Sequence, residues 1–419
     1  MSTPGRPRMS FFATFPSPAE LAYGEKMRAS HEEVIVSDRP RVLVFRNAML
    51  PRSETFILAQ ARALKIFRPL LAAVHLSEHS LIAGREATFV TTSESAMGEL
   101  ARRWYWTTGC APLFHHRLKA LAPSLIHAHF APDGATALHV QDVLQVPLVV
   151  TLHGYDVTIS DSYFACNPEG RLYLARRAEL WRRASAFVCV SEFIKRQAIN
   201  AGFPENKLTV LYTGIDLNLF RPSDVQRDEK LILFVGRLVE KKGAFDLVRA
   251  VERLGAAGVE ARVLILGDGP LRAQLELYVR EHNLPCEFLG MQPAQKVRDY
   301  LRRARVFCVP SKTAEDGDSE GLGMVFAEAQ AVGTPVVSYQ HGGIPEVVQD
   351  GATGLLASEG DVDGLAIGLL RYLREDDLWK ESSSAGTRLI RESFCLARQS
   401  RKLEELYAST LRDGQRLDF

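Results

Sequence analysis

Residues 305–339 read RVFCVPSKTAEDGDSEGLGMVFAEAQAVGTPVVSY. An apolar run ends at Ser311, an acidic and glycine-rich loop follows, and an apolar helix starts at about Gly323. Gly333 ends that helix and Pro335 blocks its continuation. A second apolar run, Pro335 to Tyr339, comes straight after. Runs that are apolar at successive positions, rather than at alternate ones, mark strands buried on both faces. Strand, helix, strand in this form is a βαβ unit, and βαβ units build parallel sheets.

The same rhythm extends in both directions. Before the midpoint, apolar runs fall at 41–45, 69–76, 124–130, 147–154, 186–191 and 208–214; after it they fall at 231–237, 261–269, 286–290, 305–311, 335–339 and 353–357. About twelve strands separated by helical segments fit two open sheets of about six better than one sheet. The fold class expected is therefore α/β with two doubly wound parallel-sheet domains. The break falls near 218–230, where the chain is polar and carries Pro222. The expected division is an extension over 1–40, a first domain over 41–222, a second over 223–395, and a terminal segment over 396–419. Leu403, Leu406, Tyr407 and Leu411 give that segment a helical period.

The chain has 419 residues, 46% hydrophobic and 24% charged, which is ordinary for a globular protein. No run approaches the length of a membrane-spanning helix, and the N-terminus lacks a signal-peptide core. Six scattered cysteines without a C-x-x-C fit reduced thiols in a cytosol. A cytoplasmic location is the expectation. The net charge of +1 hides an asymmetry: 20 Lys and Arg stand against 14 Asp and Glu over 41–222, and 26 against 31 over 223–419. So small a net charge, with no binding motif, speaks against a nucleic-acid partner. A basic and aromatic stretch in the positive half, Arg102-Arg103-Trp104-Tyr105-Trp106 with His115-His116-Arg117, is suited either to anionic headgroups or to an ordinary amphipathic helix.

Ligands of open α/β sheets bind beyond the carboxyl ends of the strands. There the opening stretch places Glu320, the amides of Gly321, Leu322 and Gly323 at a helix N-terminus, and Glu328 two turns in. Those amides suit an anion or a hydroxyl. A buried, unpaired Glu328 is costly unless a ligand diol donates to it. The alternative is an acidic helix start with a glutamate bonded to nearby backbone. Asp316-Gly-Asp318 also opens like a calcium loop, but the twelfth position is Ala327 where a glutamate is needed. The same triplet has the D-x-D form of some metal-binding sugar-transfer sites. After the first strand of the second half, Gly236-Arg237 with Lys242 suits a diphosphate clamp, arginine as a planar fork and lysine as a point charge; the alternative is a basic surface turn. Gly267-Asp268-Gly269-Pro270 is a tight strand end but no dinucleotide fingerprint, because Arg272 stands where the third glycine belongs. In the first half, His153-Gly154 ends one strand, and His127, His129 and Asp133 cluster at another. Two alternating histidines could ligate a metal, but no other ligand type has matching spacing.

Several of these segments, in this order, resemble one family. E-G-L-G-M-V-F-A-E (320–328) is similar to the E-x7-E motif of retaining glycosyltransferases of the GT-B fold, in family 4. G-R-L-V-E-K-K-G (236–243) resembles the donor-phosphate motif of that family, and G-D-G-P, A-V-G-T-P-V-V-S (331–338) and G-G-I-P-E-V-V (342–348) are typical there. The resemblance covers roughly 41–412 and is stronger in the second half. It departs at the first strand, where many relatives have a Gly-Gly turn. Here the chain has Asn47-Ala-Met-Leu-Pro51-Arg-Ser53-Glu54-Thr-Phe56, a form that resembles the colanic-acid and exopolysaccharide branch.

The resemblance implies two Rossmann-like domains facing across a cleft, with the terminal helix crossing back to the first. It implies a nucleotide-sugar donor in the second domain and a glycan or polyprenyl-diphosphate-linked acceptor in the first, with no cofactor and no metal. By it Glu328 takes the donor ribose and Arg237 and Lys242 the diphosphate. Glu320 with Gly321, Leu322 and Gly323 takes the sugar, and His153 faces the reacting group, so Glu320 and His153 are the catalytic candidates. Ser53, Glu54, His129 and Asp133 fall on the acceptor side, although Ser53 also suits a plain helix cap. A lipid-linked acceptor implies peripheral contact with the inner membrane. A nucleotide-sugar epimerase of the same fold and a non-catalytic sugar-binding protein are the competing expectations.

Overall fold

The computed structural model describes residues 39–49, 54–76, 87–92 and 95–416. Most of the expected extension over 1–40, and Ser53, lie outside the described residues. The first sheet contains β1 (Arg41–Met49), β2 (Arg68–Leu76), β3 (Ala87–Thr91), β4 (Leu125–His129), β5 (Leu148–Leu152), β6 (Ala186–Cys189) and β7 (Leu208–Val210). Its seven strands run in the order β3-β2-β1-β4-β5-β6-β7. The second contains β8 (Asp228–Val235), β9 (Arg262–Leu266), β10 (Cys286–Gly290), β11 (Ala304–Cys308), β12 (Val336–Tyr339) and β13 (Gly354–Ala357), in the order β10-β9-β8-β11-β12-β13. Every pairing is parallel, with Val42 opposite Leu125 in the first sheet and Val306 opposite Ile232 in the second.

All twelve apolar runs form strands. The strand not expected is β3, ATFVT, which sits at a sheet edge and buries only Phe89. Thr88 and Thr91 interrupt its apolar residues and only one position is buried, so it leaves no continuous apolar run in the sequence.

The helices used below are α1 (Thr55–Ala63), α2 (Ala96–Thr108), α3 (Pro112–Leu121), α4 (Ala131–Leu144), α5 (Glu192–Asn200), α6 (Ala244–Ala256), α7 (Met324–Ala331), α8 (Ile344–Val347) and α9 (Leu396–Arg416). In each sheet the chain reverses its direction of build-up at one point, between β1 and β4 and between β8 and β11. Side chains beyond those four strand ends are free of a covering crossover, so that is where a crevice opens.

The two lobes are joined twice. The chain leaves the first after Ile215 and returns at Leu396. The two passes lie side by side: Ile215 donates its N–H to Phe394 at 2.7 Å, and Leu396 donates to Ile215 at 2.9 Å. Helix α9 then lies on the first lobe. The buried Glu404 accepts backbone N–H groups from Lys65, Ile66 and Phe67 at 2.6–3.0 Å. The Tyr407 hydroxyl meets His127 Nδ1 at 2.6 Å.

Candidate active site

A cleft of about 1050 Å³ lies between the carboxyl ends of the two sheets, and both reversal points open into it. Glu54, Phe56, Phe130, His153, Gly154 and Tyr155 line it from the first lobe. Gly236, Arg237, Lys241, Lys242, Gly267, Asp318, the 319–325 segment and Glu328 line it from the second.

The second-lobe wall is built from strand ends pressed together. Gly267 ends β9 at a φ of 140°, and a Cβ there would lie 1.9 Å from the Gly236 carbonyl oxygen at the end of β8. Only glycine allows that approach. It leaves Arg237 at the rim, exposed, and among the described residues no carboxylate pairs with its guanidinium. Lys242 behaves differently. Its ammonium pairs with Glu320 Oε2, and the Ser311 hydroxyl donates to the same oxygen at 3.2 Å. Burial works to raise the Glu320 carboxyl, but Lys242, Lys241 and Ser311 outweigh it and hold the carboxyl down at about 2. Glu320 is thus an ionised, fixed group.

Beyond Glu320, the amides of Gly321, Leu322 and Gly323 donate to no group among the described residues. They precede α7 and line the cleft. Glu328, on the second turn of α7, also lines the cleft, and among the described residues its carboxyl has neither ion pair nor hydrogen bond. Burial alone pushes it up to about 8. A protonated carboxyl facing a cleft without a partner is primed for hydroxyl groups supplied from outside.

Of the D-x-D pair, Asp318 is tied to Lys241 at 2.7 Å, and Asp316 accepts the Asp318 N–H at 2.9 Å.

In the first lobe His153 follows β5. Asp156 accepts from the backbone N–H groups of His153, Gly154 and Ala131 at 2.8–3.2 Å and pins the turn. The His153 ring packs on Phe130 at 4.5 Å and on Phe56 at 5.1 Å, and its Nε2 meets His129 Nδ1 at 3.1 Å. Burial, with Arg46 and His127 nearby, holds His153 well below the usual imidazole range, so the ring is neutral. Burial likewise lowers His129 and takes His127 down to about 3. His127 is occupied by Thr151 at 2.7 Å and by Tyr407.

The acceptor-side candidates separate. Glu54 lines the cleft, but its carboxylate is gripped by Arg46 at 2.6 and 3.1 Å. Asp133 also pairs with Arg46 and accepts the Asn47 N–H at 3.1 Å. Asp133 and His129 are each 1% exposed and stand behind the cleft wall, not on it. Arg46 is the residue the sequence reading missed. It sits inside β1, and its partners are 8 and 87 positions away. No local pattern marks it. Phe130, which stacks under Arg46 at 4.5 Å with a φ of 73°, was equally silent.

The basic and aromatic stretch lies on α2 and α3. One helical period turns Tyr105 fully inward, and Trp106 donates to Asn47 Oδ1 at 3.3 Å. The exposed apolar side chains are instead Met97, Leu100 and Trp104 along α2, with Leu113 on α3.

Comparison with known proteins bears on this site. Residues 217–388 match the family model for glycosyl transferases group 1, and residues 78–219 match that for glycosyltransferase family 4. The chain is 32% identical over 298 residues to a putative colanic acid biosynthesis glycosyltransferase, WcaL, of Salmonella typhimurium, covering 70% of this chain and 71% of that protein. It is 33% identical over 262 residues to the amylovoran biosynthesis glycosyltransferase AmsK of Erwinia amylovora, covering 60% and 62%. Among solved structures, HepE of Anabaena in complex with UDP and glucose matches with a TM-score of 0.70 at 20% identity, over 88% of this chain and 100% of that one. Sucrose-phosphate synthase of Thermosynechococcus elongatus matches at 0.71 and 19%, over 90% and 100%. These structural matches show the two-lobed GT-B fold. The family models and the match to the Salmonella protein go further: this chain belongs to the group 1 glycosyltransferases of family 4.

Proposed function

We propose that the chain transfers a sugar from a nucleotide-diphosphate donor to a glycan or lipid-linked acceptor, with retention of anomeric configuration, in exopolysaccharide or other envelope polysaccharide synthesis. The observation that carries this is the set of unspent groups on the second-lobe wall. Among the described residues they are a guanidinium without a carboxylate, three backbone amides without acceptors, and the lone carboxyl of Glu328. A diphosphate, a sugar and a ribose diol supply the complementary groups. The Salmonella and Erwinia relatives are named for two exopolysaccharides, and this supports the acceptor class. In this division of labour residues 223–395 hold the donor and residues 41–222 the acceptor.

As the glycosidic bond to the diphosphate breaks, negative charge builds on the leaving oxygens and positive character on the sugar. Arg237, Lys242 and the 321–323 amides stabilise the former. These cations stand where a divalent metal would act, so the reaction is proposed to need none. Glu320 is held by Lys242 and Ser311, which speaks against a covalent nucleophile. The acceptor hydroxyl then attacks from the face the diphosphate leaves and gives its proton to the departing phosphate oxygen. Neutral His153 serves this step as a hydrogen-bonding group.

A thermal-shift screen with UDP, GDP, ADP and dTDP and their common sugars, with and without EDTA, tests the donor reading. Binding to the native state raises the melting temperature by mass action. A shift with one nucleotide, unchanged by EDTA and lost in Glu328→Ala, is expected; no shift with any of them overturns the reading. The anomeric configuration of the product, read by NMR, tests retention.

No helix among the described residues is long and apolar enough to cross a membrane. Met97, Leu100 and Trp104 are exposed along α2, where Arg103 pairs with Glu99, and this apolar helix face is proposed to rest a cytoplasmic protein on an anionic leaflet. Sedimentation with phosphatidylglycerol vesicles, lost in the double variant Leu100→Glu, Trp104→Glu, is the expected result.

A further inference from the structure

Two side chains outside the cleft lining are wired to the donor loop from behind. His341 follows β12, which stands next to β11 in the sheet, and Glu359 follows β13, the next strand out. His341 is 6% exposed and is not on the cleft wall. Its Nε2 lies 3.2 Å from the backbone nitrogen of Glu320, and its Nδ1 lies 2.9 Å from Glu359 Oε2.

The tautomer follows from the partners. A backbone N–H can only donate, so Nε2 must present its lone pair. The ring proton therefore sits on Nδ1 and is donated to Glu359, which can only accept while ionised. Glu359 Oε1 also accepts the Thr313 N–H at 2.6 Å, which ties it to the loop leading into Glu320. The Glu320 carbonyl accepts the Gly343 N–H at 2.9 Å. Both main-chain polar groups of Glu320 are thus held by the 341–343 turn, while its carboxylate is held by Lys242 and Ser311.

We propose that His341 and Glu359 are positioning residues for the sugar end of the donor site. Glu359 fixes the Nδ1–H form of His341, and His341 fixes the Glu320 amide, and with it the 320–323 backbone. The consequence for the sugar rests on the donor reading given above; the hydrogen-bond relay does not.

The test separates the relay from simple packing. His341→Phe keeps the ring and removes both nitrogens, whereas in His341→Gln the amide oxygen can still accept from Glu320. Glu359→Gln keeps an acceptor for Nδ1–H. Hydrogen exchange of the 319–323 segment in the unliganded protein is read first. His341→Phe is expected to speed exchange at Glu320 roughly tenfold or more, the scale of one lost buried hydrogen bond. His341→Gln and Glu359→Gln are expected to stay near the wild-type rate. Unchanged exchange in His341→Phe, or equal acceleration in His341→Phe and His341→Gln, overturns the relay.

Melting shifts with UDP, GDP, ADP and dTDP, and with their glucose conjugates, are read second. His341→Phe is expected to keep the nucleoside diphosphate shift and to lose the further shift given by the sugar. Equal loss of both overturns the assignment to the sugar end. If the wild type responds to none of these ligands, the donor reading fails, and the exchange result still decides the relay.

Discussion

Glu328 is the side chain whose protonation a ligand should change most. Burial sets its carboxyl at about 8, above the ordinary 4.5. A carboxyl raised in the folded state contributes stability that is complete below the unfolded value and is lost as pH rises through the folded one. The wild type should therefore lose melting temperature progressively between about pH 5 and 8, and Glu328→Gln should lose less. Diol hydroxyls donate to the ionised form and stabilise it, so nucleotide binding at pH 7 should expel up to roughly 0.9 proton per site, the fraction protonated at a pKa of about 8. Calorimetry in phosphate and in Tris measures that proton directly, and Glu328→Gln should abolish the difference between buffers. Glu320 is the opposite case. Its depressed carboxyl contributes stability at neutral pH that fades as pH falls from the unfolded value towards about 2. Lys242→Met removes its chief counter-ion and leaves burial opposed by Lys241 and Ser311. The cost expected from urea unfolding at pH 7 is about 2–4 kcal/mol, and it should shrink at pH 4 where Glu320 of the variant takes up a proton.

The approach to α7 depends on backbone packing that allows no side chain at one point. A Cβ on Gly321 would lie 2.0 Å from the His153 carbonyl oxygen, across the cleft between the lobes. Gly321→Ala should therefore leave each lobe folded but push the 319–323 segment off the end of β5. Sugar transfer should fall at least about a hundredfold, the scale of a misplacement of about 1 Å, with far-ultraviolet circular dichroism unchanged. The sequence announces this segment because a loop, a helix start and two glutamates eight positions apart are local features. The strand runs were legible for the same reason, since burial on both faces leaves unbroken apolar stretches. What stayed hidden was pairing set by strand order. Arg46 reaches Asp133 because β1 and β4 are neighbours in the sheet, and His341 reaches Glu320 because β12 lies beside β11. Neither separation belongs to a helix or hairpin period. The buried pairing of Glu54 with Arg46 is why a residue read as facing an acceptor proves already engaged.

The two lobes are held by a few contacts of different strength, and these differ in what their loss should do. Glu404 on α9 satisfies three backbone donors of the first lobe in a buried setting. Glu404→Ala strands all three and should cost about 2–4 kcal/mol, with Glu404→Gln milder because an amide oxygen still accepts. Urea unfolding followed by tryptophan fluorescence reports it well, since Trp104, Trp106 and Trp181 lie in the first lobe and only Trp379 in the second. Glu346 works at the other boundary. It follows α8's proline in the second lobe and accepts the first two amides of α5 in the first lobe, Glu192 and Phe193, both at 2.8 Å. Close by, the Ser191 hydroxyl donates to the Gly321 carbonyl at 2.6 Å. A carboxylate at a helix N-terminus contributes about 0.3–1 kcal/mol where it is partly exposed, too little to govern folding but enough to bias an opening of the lobes. Glu346→Ala should thus leave the urea midpoint nearly unchanged while it raises the radius of gyration of the unliganded protein in small-angle scattering. On the proposed donor reading, a saturating nucleotide-sugar reaches from Arg237 and Glu328 to the loop beside His153 and should return the variant to the wild-type profile. A variant that stays as compact as the wild type without ligand would mean that the Ser191 bond and the paired passes at Ile215 and Leu396 hold the lobes together without help from α8.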